Sequence, residues 1–311
     1  MRRVDLGRVE PFVRRLADSQ PGRALRKQLS RHPPAQSGGL LVRCPVCGQC
    51  ADEFIAFGGG TIQRANALCA NCGALERHRL VWLYLLNETD LFSGVMRRRM
   101  LHVAPEPVLE QRLRDEPLLD YLSADLDAGA AQEQMDITDI RYPDDSFDVI
   151  YCSHVFEHVP DDALAMRELC RVLRPEGWAI LQVPILLEHT DEDPTLTDPE
   201  ERLRRFAQSD HVRAYGADYA DRLRAAGFTV REDPYAERIG PVRSRRYGLD
   251  AADVVHFCTK RTHHRPTEGY RPGSRERHRA LTAWQRQRSG LAVHARLPLR
   301  PGTPTTAGRV S

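Results

Sequence analysis

The sequence predicts an α/β protein: an open, mostly parallel sheet covered on both faces, with a small cysteine-built module ahead of it. Two observations carry this. From residue 99 onward, short strand-like runs alternate with helical patterns, and this alternation argues for a parallel sheet covered on both faces. The spacing C-x2-C occurs twice before that alternation begins, at Cys44 and Cys47 and again at Cys69 and Cys72.

The elements follow in order. Residues 1–31 suit a basic helix or two broken at "QPG", and "RHPPAQSGG" is a linker by composition, so 1–38 is a basic segment with its linker. The module spans 39–76, where "DEFIAFGGGTIQRANAL" between the knuckles supplies two short strands. "LERHRLVWLYLLNETDLF" has helical spacing, with Leu80, Leu83 and Leu86 on one side, and its Arg77, His78 and Arg79 either face a ligand or solvate the helix start. "MLHVA" is the first strand of the sheet and "EPVLEQRLRDE" a helix. "DYLSADL", a segment within "AQEQMDIT", and "SFDVIYCSHVFEHV" continue the sheet. "DDALAMRELCRVLRPEG" is an amphipathic helix with Gly177 past its end. "WAILQVPI", "YADRLRAAGFTV" and "DVVHFCTKR" supply the last three strands and one more helix. A polar insertion at about 185–215 is long for a loop and reads as a lid. The main domain is thus 77–260, and 261–311 is a basic tail poor in large apolar residues.

The charge is uneven. Residues 1–43 hold ten basic and three acidic side chains (+7), 44–260 hold 24 and 38 (−14), and 261–311 hold 11 and two (+9). Basic ends can dock on RNA, on anionic lipid or on the acidic body; a solvated tail is the plainer reading. No apolar run reaches the roughly 20 residues of a membrane span, and the N-terminus lacks a secretory signal's apolar stretch. The expectation is a cytoplasmic protein whose eight cysteines are reduced.

The chemistry-bearing residues fall into two sets. Cys44, Cys47, Cys69 and Cys72 have the spacing of two knuckles that close a tetrahedron of thiolates around Zn2+, each pair followed by a glycine. Cys50 is a spare thiol that could exchange with Cys47. The second set lies where strands end. Asp125 follows the second strand, about 20 residues beyond the first turn, where a carboxylate can accept both hydroxyls of a ribose. Asp136 follows the third strand and suits an adenine amino group. Asp148 opens the fourth strand, which runs out into Ser153, His154, Glu157 and His158.

At "MDITDIRYPDDSFDVIYCSHVFEHVPDDALAMRELCRVLRPEGWAILQVP" the chain resembles the class I S-adenosylmethionine-dependent methyltransferases, in particular the methyltransferase type 11 group, over about residues 99–235. Glu176-Gly177 replaces the group's usual Gly-Gly. The resemblance implies a seven-stranded Rossmann-like sheet with the last strand antiparallel, S-adenosyl-L-methionine as cofactor, Asp125 at the ribose and Asp136 near the adenine. The joined zinc-ribbon-like module resembles that of a bacterial subgroup of largely uncharacterised methyltransferases. The first turn departs from the pattern: His102 stands at the group's acidic position, and Ala104 and Glu106 replace glycines. The cofactor has no pyrophosphate to cradle, so small Ala104 can still approach it, and Glu106 can meet its sulfonium or ammonium. Ser153 completes the expected cofactor set.

Methyl transfer needs alignment of donor and acceptor, and a hydroxyl acceptor also needs a base. His211 in "SDHVRAYG" is the first candidate and His154 the second; His189, Asp191, Asp210 and Arg213 lie in the same insertion. The N/D-P-P-Y/F signature of amino-group methylation is replaced by "QVPI". The expected function is methyl transfer to a small molecule or sugar-like metabolite, at oxygen. The alternatives are an RNA methyltransferase that docks through its ribbon and basic ends, and a non-catalytic cofactor-binding protein.

Overall fold

Two knuckles of the same construction open the fold. In each, the first cysteine's carbonyl accepts from the glycine four residues on: Gly48 N–H to Cys44 and Gly73 N–H to Cys69, both at 2.8 Å. Both glycines have φ near +77°, a left-handed conformation that side chains disfavour. These observations come from a computed structural model that describes residues 41–59, 62–94, 96–193 and 195–261. The expected basic segment 1–38 and the tail beyond Arg261 lie outside the described residues.

The first knuckle sits between β1 (Val42–Arg43) and β2 (Cys50–Ala51), which pair antiparallel. The hairpin β3 (Ile55–Gly59) and β4 (Ile62–Leu68) leads to the second knuckle. Helix α1 (Glu76–Glu88) starts at once. Residues 78–86 of α1 are buried on every side, not along one stripe as the leucine spacing suggests. The reason is that α1 is covered twice. Its residues Leu80 to Leu86 share one core with Cys44, Val46, Phe54 and Cys69 of the module, and with Met100, Val149, Tyr151 and Trp178 of the sheet.

Arg79 is at the centre of this join and is wholly buried. It neither solvates the helix start nor faces a ligand. Its Nη1 donates to the carbonyls of Ala67 and Ala74, both at 2.7 Å; its Nε donates to Tyr247 O at 2.7 Å, and its Nη2 to Gly248 O at 2.6 Å. The guanidinium also lies 3.8 Å from the ring centroid of Phe54. One cation therefore ties the hairpin, the second knuckle, α1 and a segment some 170 residues further along the chain.

The sheet then builds in the expected alternation: β5 (Arg98–Val103), α2 (Pro107–Arg114), β6 (Leu119–Asp125), β7 (Glu133–Gln134), β8 (Phe147–Ser153), a single 3-10 turn (Phe156–His158), α3 (Asp162–Val172) and β9 (Leu173–Gln182). After the insertion come α5 (Tyr219–Ala225), β13 (Phe228–Asp233), α6 (Tyr235–Arg238), α7 (Pro241–Tyr247) and β14 (Val255–Lys260). The seven strands lie in the order β13-β14-β9-β8-β5-β6-β7. Only β14 runs against its neighbours, so this is the mostly parallel seven-stranded Rossmann-like sheet. Strand alternation divides it between two cores. Met100, Val149 and Ile180 face α1, while Leu101, Ile150 and Ala179 pack with Ala165, Met166 and Leu169 of α3.

Two expectations change. Gly177 does not follow a helix C-terminus, because α3 ends at Val172 and β9 begins at once. A Cβ at Gly177 would stand 2.7 Å from the carbonyl oxygen of Asp148, so glycine is required by close approach to β8. The insertion is also no loop. It holds β10 (Ile185–Leu187), β11 (Asp191–Glu192), α4 (Pro199–Phe206) and β12 (Arg213–Gly216), with a small sheet in the order β10-β12-β11. Buried Arg213 fixes it to the main domain by donating to the carbonyls of Phe156, Val159 and Pro160 at 2.5–2.9 Å.

Replacing Arg79 by Met should lower the urea midpoint by the equivalent of about 3 kcal/mol or more, because buried carbonyls lose charged donors. Arg79→Lys should recover only part of this, since an ammonium cannot span the same fork. Equilibrium unfolding of the three proteins checks this; an unchanged midpoint in Arg79→Met would remove the role given to the guanidinium.

Candidate cofactor site and cysteine centre

The strand order reverses at β5: the chain goes outward through β6 and β7, then returns to the other side with β8 and β9. In such sheets the crevice forms beyond the carboxyl ends of the two strands at the reversal. Two turns meet there, and each holds a non-glycine residue in the left-handed region: Ala104 after β5 (φ 47°) and His154 after β8 (φ 57°). Such residues store strain and cluster at functional sites. Ala104 supplies the backbone shape a glycine would, and its N–H donates to Ala124 O at 2.8 Å. His154 N–H donates to Gln182 O at 2.9 Å.

Glu106 has other partners than the cofactor cation expected from sequence. Its Oε1 accepts from Arg77 Nη2 at 2.8 Å and lies 2.5 Å from His78 Nε2; its Oε2 accepts from Tyr151 Oη at 3.2 Å. The proton on His78 can be placed, because its Nδ1 accepts from Leu75 N–H at 3.0 Å. Nε2 must then be the protonated, donating nitrogen. Burial alone would raise the Glu106 pKa, but His78 and Arg77 hold the carboxyl well below the usual range. Burial pushes the His78 pKa down despite Glu106, so this imidazole is neutral at physiological pH. The start of α1 thus braces the first turn.

His102 is 1% exposed. Its Nδ1 lies 2.8 Å from Tyr121 Oη, and its ring packs 4.9 Å from that of Tyr151. Burial pushes its pKa down to about 4. It is almost fully buried within the strand, in place of the exposed position expected for a cofactor contact. Asp125 ends β6 half-exposed, with Oδ1 accepting from Asp127 N–H at 2.9 Å. Beside it Leu126 is 62% exposed. Asp136 is exposed, with Oδ1 accepting from the N–H and hydroxyl of Thr138. Ser153 is buried at the end of β8. Asp148 lies at the other end of β8, where it accepts from Arg99 N–H and Arg174 at 2.8 Å and pins neighbouring strands.

The expected insertion residues separate. His189 is exposed, Asp191 is paired with Arg205, and Arg213 is structural. His211 is brought to the turn after β8, with its ring centroid 4.7 Å from that of His158. His154 Nδ1 lies 3.3 Å from Glu157 Oε1. Burial would raise the Glu157 pKa, but His154 and then His158 lower it; burial and then the His158 charge lower that of His211. One residue absent from the sequence expectation is Asp253, just before β14. Its pKa is pushed up to about 6, first by burial, then by Asp250 and Glu76. No local pattern marks it, since its neighbours come from α1 and from its own loop.

The four knuckle cysteines converge, with their sulfurs all within 4.8 Å of one another. The Cys44–Cys72 and Cys47–Cys69 separations are 3.7 and 3.8 Å. A tetrahedron with metal–sulfur arms of ~2.3 Å has edges of roughly 3.8 Å, so this donor set fits zinc. Cys50 is exposed and outside the cluster.

Residues 101–181, from β5 to β9, match the family model of a methyltransferase domain. The chain is 32% identical over 140 residues to the methyltransferase GfsG of Streptomyces halstedii, covering 38% of this chain and 46% of that protein. It is 31% identical over 135 residues to a ubiquinone biosynthesis O-methyltransferase of Albidiferax ferrireducens, covering 43% and 41%. The chain spans less than half the length of these curated relatives. A solved methyltransferase structure from Mesorhizobium loti superposes with a TM-score of 0.39 at 15% identity, covering 58% of this chain and 98% of that one. Among the described residues no helix is long and apolar enough to cross a membrane.

His102 makes a pH prediction. Its pKa falls from 6.5 to about 4 on folding. The unfolded chain therefore takes up this proton first as pH drops. The stabilisation is complete above pH ~6.5 and is lost by pH ~4, amounting to something on the order of 3 kcal/mol. Stability measured across this window should fall with a slope that is one proton shallower in His102→Gln; an identical slope would contradict the assignment.

Proposed function

We propose that this chain is an S-adenosylmethionine-dependent methyltransferase that acts at an oxygen of a small or sugar-like molecule. The observation that carries the reading is the Asp125 carboxylate, half-exposed at the carboxyl end of β6 and next to the strained turn after β5, within a methyltransferase domain. Asp125 accepts the ribose hydroxyls. Exposed Leu126 offers an apolar plate to the base, and Asp136 accepts from its amino group. Ala104 lets the backbone approach the rest of the molecule, and Ser153 borders it at the end of β8. The cofactor, when bound, supplies a methyl group on a positively charged sulfur.

The remaining chemistry belongs to the chain's own side chains. An oxygen acceptor needs its proton removed. His154 suits this better than His211: it is partly exposed in the turn after β8, with Nδ1 against Glu157, whereas His211 is 2% exposed. The insertion covers this side, and β10 exposes Ile185, Leu186 and Leu187. Such an apolar edge suits a small acceptor better than a phosphate backbone, as does the acidic body. The O-methyltransferase among the relatives supports oxygen as the target. Zn2+ at Cys44, Cys47, Cys69 and Cys72 is structural in this reading: it holds the hairpin that buries Arg79 and so positions α1.

Asp125→Ala removes two charge-assisted hydrogen bonds, each worth roughly 1.5–3 kcal/mol. Binding of S-adenosylmethionine should weaken about a hundredfold or more, as read by calorimetry; unchanged affinity would sink the cofactor assignment. Labelled cofactor incubated with cell extract should place the methyl group in a small-molecule fraction. Label in RNA would favour the nucleic-acid alternative.

Zinc analysis of Cys69→Ser should show one equivalent fewer than wild type, together with lower stability, because the knuckles depend on the metal. Full retention of metal in this variant would overturn the four-cysteine assignment.

A further inference from the structure

We propose that Glu157, His158 and His211 form a second metal site, for a divalent transition metal, where the insertion meets the turn after β8. One donor atom from each of the three lies within 4.8 Å of the other two. The burial of two of them gives this cluster its meaning. Glu157 is 1% exposed; its Oε1 faces His154, and its Oε2 is buried with no hydrogen-bond partner. The Nε2 of His211 is likewise buried and partnerless.

The hydrogen on His211 can be placed. Its Nδ1 lies 2.9 Å from the carbonyl oxygen of Phe206. A carbonyl only accepts, so Nδ1 donates, and a neutral ring then carries its lone pair on Nε2. A carboxylate oxygen and an imidazole lone pair are thus both buried without a protein donor. Buried acceptors left in this way are costly. A cation bound between them satisfies both at once. His158, on the exposed side of the cluster, adds the third ligand and leaves a route in from solvent.

The surroundings are those of a built metal site. A ligating histidine usually donates its other nitrogen to a carbonyl or carboxylate. His211 has the Phe206 carbonyl, and His158 Nδ1 lies 3.3 Å from Asp210 Oδ2. The two halves of the site are held in register, since Val212 N–H donates to Glu157 O at 2.9 Å and Arg213 spans the carbonyls on either side. Two imidazoles and one carboxylate select zinc, ferrous iron, cobalt or nickel over calcium and magnesium, which prefer all-oxygen shells. The donor set contains no sulfur, so the site is spectroscopically distinct from the cysteine centre. It stands on its own geometry, whatever reaction the domain performs.

The test uses the full chain, loaded with zinc at its cysteines and then titrated with Co2+. Wild type should bind one further equivalent saturably, with d–d absorption and no thiolate-to-cobalt charge transfer. His158→Ala, a change at an exposed position, and the isosteric Glu157→Gln should each weaken this binding tenfold or more. The cysteine-bound zinc should stay in place, which reports that the variants are folded. Absence of a saturable equivalent beyond the cysteines would overturn the proposal, as would equal binding by wild type and both variants, or thiolate charge transfer from the added cobalt.

Discussion

The guanidinium of Arg79 is buried among backbone carbonyls from the cysteine hairpin, the second knuckle and the end of α7. Carbonyls are the partners that a buried cation can take without a counter-charge, and Arg presents enough donors in a fixed fork to serve several of them. The cysteine module is therefore not an appendage. Its hairpin forms one wall of the guanidinium pocket, and Gly248 closes the other; a Cβ there would stand 2.4 Å from Phe54. Module, first helix and sheet then share one core.

Fixing α1 has a direct consequence at the crevice. The two residues before Arg79 reach the first turn of the sheet and take its carboxylate. A turn without glycine has to be held in its strained shape by something else. Here Arg77, His78 and Tyr151 hold Glu106, while Ala104 adopts the left-handed conformation. The neutral state of His78 matters to this arrangement, since a protonated ring could not accept from Leu75. The bracing thus comes from a helix that lies outside the region matched by the methyltransferase model.

A second buried arginine plays the same part on the opposite side. Arg213 takes three carbonyls around the turn after β8, and its charge is balanced near Asp162 and Glu192. Asp162 and Glu192 are also paired with Arg222 of α5. The insertion is consequently a docked unit that carries His211 to Glu157 and His158, where His211 Nε2 and Glu157 Oε2 are buried without a hydrogen-bond partner.

The sequence by itself determined the parts governed by local repetition. Alternating strand and helix patterns gave the mostly parallel sheet, and two C-x2-C spacings gave the four-cysteine cluster. The Asp125 position followed from its place at a strand end. Period and spacing are properties of neighbouring residues, so they survive in one dimension. Only the tertiary structure decided which charges meet. Glu106 reads as a free carboxylate near a cofactor, yet it is held by Arg77 and His78, nearly 30 residues upstream, and by Tyr151, 45 residues downstream. Arg79 reads as one charge in a basic run, yet it is wholly buried by carbonyls from distant segments. Gly177 reads as a helix stop, yet it is required by the carbonyl of Asp148 on the adjacent strand. His211 and Glu157 stand more than fifty residues apart and share no pattern. In each case the deciding quantity is the environment's polarity and the distance to a partner, and folding sets both by packing segments that the sequence keeps apart.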